Sequence, residues 1–184
     1  MRRLAPPDPP LTDGEIVLRP RSEEDVPAIA EASHDPETQR RLNDGPLTEE
    51  AQRESVARAE QQWLAGTGAP FVIADARDDR PLGLLNLQFG DDEDVASLAV
   101  SVFPGARGRG IATRALRLGA LWGLRELGLA RVAAEAAVDN DASIRAIEKA
   151  GFQREGTLRA HCKTHGERHD CVMFSLVAAD VQSV

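Results

Sequence analysis

The segment Val102-Phe103-Pro104-Gly105-Ala106-Arg107-Gly108-Arg109-Gly110-Ile111-Ala112-Thr113 constrains the fold more than any other. An apolar, strand-like run from Val95 to Phe103 ends at Pro104, and an amphipathic helical run from Ile111 to Leu127 starts after Gly110. Three glycines in the turn between them let the backbone approach a ligand closely. The N–H groups of such a turn converge at a helix N-terminus, and both features suit a pyrophosphate. Thr113 sits in the first helical turn, where its hydroxyl adds a donor. Arg107 and Arg109 add positive charge, or are simply solvated loop arginines. Further along the helix, Gly119 and Gly123 lie four apart, each costing about 1 kcal/mol of helix propensity against alanine. Close packing of this helix on a sheet is the expected compensation.

The rest of the chain supplies that sheet. Residues 1–13 hold four prolines and little to bury, and read as a flexible, extended tail ahead of a single domain at 14–184. A short strand, Glu15 to Arg19, stops at Pro20. Ser22 with Asp25 forms a capping box ahead of the apolar stripe Val26, Ile29 and Ala30. Thr48 heads a second helix through Val56, Ala59 and Trp63 to a stop at Gly66-Thr67-Gly68. The period then changes to two. Phe71–Ala74 and Leu82–Leu87 read as strands joined by an Asp-rich turn, and Asp91–Asp94 makes another turn before the strand at Val95. After Gly128 come a strand at 131–138, a helix capped by Asn140, and two final strands near 152–159 and 170–177. The order is β-α-α-β-β-β-α-β-α-β-β: an antiparallel meander, one βαβ unit and a closing hairpin. This predicts a mixed α/β (α+β) fold, with about four helices flanking a mostly antiparallel sheet.

Composition narrows the function. The 184 residues suit one domain, and no apolar run approaches the roughly 20 residues that span a bilayer. The opening MRRLAPPDPPLTDG has no apolar stretch and is no secretory signal. Two cysteines are no disulfide framework and point to a reducing, cytoplasmic setting. With 22 basic against 30 acidic residues the net charge is −8, which argues against nucleic acid as a main partner. At 4% aromatic content, a stacking platform for bases is not expected either, and Trp63 and Trp122 read as core residues.

A P-loop would need Gly-Lys-Ser/Thr at the end of the glycine turn, which is absent. A dinucleotide fingerprint would need an acid about 20 positions on, where Ala130-Arg131-Val132 stands. What the turn resembles is the coenzyme A loop of the GNAT acyltransferases, at Arg107-x-x-Gly110-x-Ala112. Asn140-x-x-Ser143-x-x-x-x-Glu148-Lys149-x-Gly151-Phe152 is similar to the signature of the RimJ/RimL-like branch, the ribosomal-protein N-terminal acetyltransferases. Leu18-Arg19-Pro20, Glu155-Gly156-x-Leu158-Arg159 and Asp170-x-x-x-Phe174-Ser175-Leu176 agree with that branch, so the resemblance covers about residues 15 to 178.

The resemblance implies a GNAT fold whose sheet splays at a cofactor cleft. Acetyl-CoA is the implied acyl donor, with no metal, and a primary amine the acceptor. Val102, Phe103, Arg107, Gly108, Arg109, Gly110, Ile111, Ala112, Thr113, Asn140 and Ser143 are the implied cofactor-binding residues. A backbone N–H near Val100–Phe103 would polarise the thioester carbonyl, and the neutral amine would attack directly in a ternary complex. Asn140 would bond the cofactor arm, and Ser143 would protonate the departing thiolate. The chain departs from the family in two places. It has no tyrosine to act as the acid, and Ser97 stands where branch members often carry a Glu. Glu135, Glu93, Asp94 and the late histidines, His161 foremost, are the remaining candidates for a base, and a water chain needs none of them.

His161, Cys162, His165, His169 and Cys171 fall within eleven positions. These are residue types zinc prefers, but their spacing matches no standard finger, and polar residues on a half-exposed hairpin is the plainer reading. The acceptor amine belongs to a protein N-terminus, a lysine or a small molecule, and a monomer or homodimer is expected. Two other functions fit the same residues. One is an acyltransferase drawing on an acyl carrier protein, marked by a basic patch of Arg107, Arg109 and Arg114 at the cleft mouth. The other is a non-catalytic acyl-CoA-binding module.

Overall fold

The computed structural model describes residues 4–41, 45–90 and 92–181. Its strands are β1 (Leu11–Thr12), β2 (Ile16–Pro20), β3 (Gly68–Asp75), β4 (Pro81–Phe89), β5 (Val95–Val102), β6 (Arg131–Ala137), β7 (Gln153–Thr164) and β8 (Glu167–Val177). Its helices are α1 (Val26–Ser33), α2 (Pro36–Arg41), α3 (Glu49–Ala65), α4 (Ile111–Arg125), α5 (Asp141–Lys149) and α6 (Ala178–Val181). The strands form one open sheet in the order β1-β2-β3-β4-β5-β6-β8-β7. Every neighbouring pair is antiparallel except β5 and β6, which the crossover helix α4 forces to run parallel.

The local signals act as their chemistry requires. Asp25 accepts the Ser22 N–H at 2.8 Å, and Thr48 accepts the Ala51 N–H at the start of α3. Gly66 ends α3 in the left-handed region at φ +68°. In α4, Leu116, Ala120 and Leu124 are buried. The missing side chains of Gly119 and Gly123 make room for the sheet. A Cβ at Gly119 would meet Leu85 at 2.8 Å, and one at Gly123 would meet Leu129 at 3.0 Å. Trp63 and Trp122 are buried core residues set against Phe71 at ring-centroid distances of 5.1 and 5.5 Å.

Three expectations are corrected. The described part of residues 1–13 is not a free tail: Leu4 is buried in the core and Leu11–Thr12 pairs with β2, because two apolar side chains suffice to anchor an otherwise polar run. The closing hairpin is longer than its apolar pattern, since β7 and β8 extend through polar residues to a tight turn at His165-Gly166. Cys162 and Cys171, read from sequence as reduced, form a disulfide across this hairpin with their Cα atoms 5.9 Å apart. The hairpin makes them cross-strand neighbours. Two short helices, α2 and α6, join the four expected. Residue 91, part of the expected polar turn, lies outside the described residues. No helix among the described residues is long and apolar enough to cross a membrane.

Candidate active site

Parallel pairing of β5 with β6 lasts from Val95↔Arg131 to Leu98↔Ala134 and then stops, although both strands continue. Ala99–Val102 and Glu135–Ala137 therefore diverge, and a cleft of about 800 Å³ opens between them. The cleft runs from the glycine-rich turn and the N-terminus of α4, past Asn140 and Ser143, to a rim made by α2 and the β7–β8 hairpin.

The turn has the conformation its glycines permit. Gly108 and Gly110 take φ +74° and +77°, and a Cβ at either would meet no atom within 4 Å. The space in front of the turn is thus open. Gly110 is the N-cap of α4, so the N–H groups of Ile111, Ala112 and Thr113 lack helical carbonyl partners and point their partial positive charge at the cleft. These residues fit a pyrophosphate, and the unpaired edge of β5 fits an extended arm laid along it.

Among the residues marked from sequence, Val102, Arg107, Gly108, Gly110, Ile111, Ala112, Thr113, Glu135, Asn140 and Ser143 all line this cleft. Phe103, Arg109 and His161 do not. The Phe103 N–H is spent on the Leu82 carbonyl at 2.8 Å. Arg109 turns to a second, smaller cavity shared with Glu15, Asp75, Arg77 and Arg114. His161 stands beside the cleft, its Nε2 3.2 Å from the Glu135 Oε2.

Two side chains expected to face a phosphate are engaged elsewhere. Arg107 donates to the Val102 carbonyl at 3.2 Å, to Asp35 at 2.7 Å and to the Thr38 hydroxyl at 2.8 Å, tying the turn to α2. The Thr38 N–H and the Arg107 guanidinium together hold the Asp35 carboxyl below its usual range. Thr113 donates its hydroxyl to the Ala146 carbonyl at 3.3 Å, pinning α4 to α5. Arg114 is paired with Asp13 at 2.6 Å. Two of the three arginines that would form a basic patch at the mouth are therefore each matched by a carboxylate.

Asn140 caps α5 by accepting the Ser143 N–H on Oδ1 at 3.1 Å. Its amide Nδ2 remains as a donor on a cleft-lining residue, one helical turn from the Ser143 hydroxyl. Ser97 pairs with Ala133 on β6, and Glu135 lies two residues beyond Ala133 on the same face. A carboxylate therefore stands on the next strand, on the face where Ser97 supplies none.

The rim residues Thr38, Arg41, Asp139 and Lys163 were not marked from sequence, whereas His169, one of the late histidines considered as a base, lines the rim with them. Arg41 on α2 bonds Asp139 across the cleft at 2.8 Å, and His165 Nε2 lies 2.8 Å from the Gln39 carbonyl. The legible signal was Asp35-Pro36, an N-cap followed by proline at the first helical position, since Asp35 accepts the Thr38 N–H at 2.8 Å. Among the described residues, no group of three or more His, Cys, Asp or Glu side chains is gathered to hold a metal ion.

A model of the acetyltransferase (GNAT) domain family matches residues 15–153. The chain is 28% identical over 164 residues to the uncharacterized N-acetyltransferase p20 of Bacillus licheniformis, spanning 88% of this chain and 92% of that one. Mycobacterium smegmatis RimJ in complex with CoA-disulfide has the same fold, with a TM-score of 0.81 at 21% identity, over 94% of this chain and 87% of that one. So has a Salmonella typhimurium acetyltransferase that modifies the N-terminal serine of a 50S ribosomal subunit protein. Its TM-score is 0.77 at 20% identity, over 89% of this chain and 95% of that one.

Proposed function

This chain belongs to the GNAT acetyltransferase family and is an acyl-CoA-dependent N-acetyltransferase; from that premise we propose that its cleft moves an acetyl group from acetyl-CoA to the primary amine of a protein N-terminus or a small molecule. The observation that carries this reading is the cleft itself. It has free helix N–H groups at one end, an unpaired strand edge along its length, and Asn140, Ser143 and Glu135 where the edge ends.

In this reading the N–H groups of Gly108 and Gly110–Thr113 hold the pyrophosphate, and the free edge of β5 aligns the pantetheine arm. Asn140 Nδ2 fixes that arm near the sulfur. A backbone N–H of β5 stabilises the negative charge that develops on the thioester oxygen. Glu135, with His161 against it, takes the proton from the incoming amine, whose nitrogen forms the new C–N bond as the C–S bond breaks. The Ser143 hydroxyl gives its proton to the departing thiolate and is reprotonated from solvent. The enzyme works as one domain, as a monomer or homodimer. The paired arginines at the mouth weigh against a carrier-protein donor, which would need free positive charge there.

Calorimetric titration with acetyl-CoA, CoA and longer acyl-CoAs tests the donor, with one-site binding expected in the micromolar range. Thiol release from acetyl-CoA is then followed with short peptides carrying free N-terminal amines and with small primary amines. Binding without turnover on any of them, and without slow thioester hydrolysis, would make the protein a binding module instead. Absence of binding would overturn the CoA reading.

A further inference from the structure

The β7–β8 hairpin breaks its register twice, at Arg154/Gly156 and, more widely, between Leu158 and Cys162. Leu158 pairs with Cys171 and Cys162 pairs with His169, so Arg159, Ala160 and His161 together stand opposite Asp170 alone. Two surplus residues on β7 must be accommodated, where an ordinary bulge carries one. Ala160 takes φ +50°, in the left-handed region that an alanine enters only when its surroundings hold it there.

Those surroundings are specific. Asp170 Oδ1 accepts the Ala160 N–H at 2.8 Å. Arg168 Nη1 donates to the Ala160 carbonyl at 3.0 Å and to the His161 carbonyl at 3.3 Å. The Cys162–Cys171 disulfide spans the bulge, joining one flanking pair to the other.

The consequence lies two strands away. β7 does not border β6, because β8 runs between them. His161 nevertheless reaches over β8 and sets its Nε2 3.2 Å from Glu135 Oε2. Cys162, paired with His169 at the edge of the bulge, sets its Sγ 3.6 Å from Glu135 Oε1, so this end of β7 already lies over the carboxylate. The bulge adds the imidazole of His161 at the other carboxylate oxygen.

We propose that Asp170 and Arg168 are positioning residues which, through the bulge, hold His161 against Glu135 and so orient the carboxylate that accepts the amine proton. This rests on Glu135 acting as the proton acceptor, as proposed above. The two residues touch neither substrate nor donor, and act only through where they hold His161.

The test is a double-mutant cycle on thiol release from acetyl-CoA, with a short peptide carrying a free N-terminal amine as acceptor. Asp170→Ala is expected to lower kcat about tenfold with the KM for acetyl-CoA within about twofold, and to lower it less than about twofold when Glu135 is already Gln. Asp170→Asn keeps an oxygen to accept the Ala160 N–H and is expected to stay within about threefold of the parent. Arg168→Gln follows the same pattern should Asp170→Ala not fold. Loss by the same factor in both backgrounds, or a rise in KM that tracks the fall in kcat, would reduce the bulge to a structural feature and overturn the proposal. A Glu135→Gln enzyme with the parent kcat, or a parent that turns over neither the peptide nor a small primary amine, would remove the proton-acceptor reading itself and the proposal with it.

Discussion

Arg107 Nη2 lies 2.7 Å from Asp35 Oδ2, so the arginine of the glycine-rich turn spends its charge on α2 instead of offering it to solvent. The same side chain holds the Val102 carbonyl at the end of β5. One guanidinium thus fixes the turn, the strand edge and the rim helix relative to one another.

Removing the carboxylate discriminates between two roles for this arginine. If Arg107 is a strut, Asp35→Ala weakens acetyl-CoA binding by about two- to fivefold, the scale of a partly exposed ion pair. If its role is to meet phosphate, the same change frees it and tightens binding. Isothermal titration of the variant reads the sign directly.

Asn140 and Ser143 share a cap but not a role. Ser143→Ala is expected to lower kcat by about ten- to a hundredfold while acetyl-CoA affinity stays within about twofold, the pattern of a lost proton donor. Asn140→Asp keeps the Oδ1 that caps α5 and loses the Nδ2 donor, so it weakens acetyl-CoA binding at little cost in stability. Asn140→Ala additionally costs about 1 kcal/mol of stability through the lost cap. Urea denaturation beside calorimetry separates these outcomes.

Two glycines make opposite predictions. A side chain at Gly110 projects into open space, so Gly110→Val folds at a cost of about 1–2 kcal/mol for its left-handed φ and loses acetyl-CoA binding. A Cβ at Gly83 would stand 2.4 Å from the Ser101 carbonyl oxygen across the β4–β5 pair. Gly83→Ala is therefore expected to destabilise the fold by about 2 kcal/mol or more, with or without ligand. Thermal melts with and without acetyl-CoA show a ligand shift for the second protein, where enough of it folds, and none for the first.

Acid stability has an identifiable source in Glu155. The Arg131 guanidinium and the Ser175 hydroxyl hold its carboxyl down at about 2, against an ordinary value of 4.5. A carboxylate depressed in the folded state stabilises fully above its unfolded pKa and loses that contribution as pH falls from about 4.5 toward 2. Glu155→Gln should flatten this limb of the stability profile. Because Glu155 is 40% exposed, added salt should shrink the difference between the two proteins. Urea midpoints measured from pH 6 down to pH 2.5 check both statements.

The elements legible in sequence were those with a local cause. Proline and glycine at 104–110, the caps at Ser22, Thr48 and Asn140, and the paired glycines of α4 act over a few residues, and the structure shows each one acting. The order of these elements, with one helix between two strands that run in parallel, also dictated the mixed sheet. Only the tertiary structure decided which side chains are available to a ligand. Arg107 and Thr113 have the right chemistry for phosphate, and whether they are already bonded depends on Asp35, 72 residues away, and on Ala146, 33 residues away. No local pattern encodes such partners. The same holds for His161, which meets Glu135 at a register break near the polar, turn-proximal ends of two strands, where no alternation of apolar residues marks the pairing. Sequence fixes what each segment can do alone; side-chain partners across the sheet come from packing, because they depend on distances that only the assembled layers set.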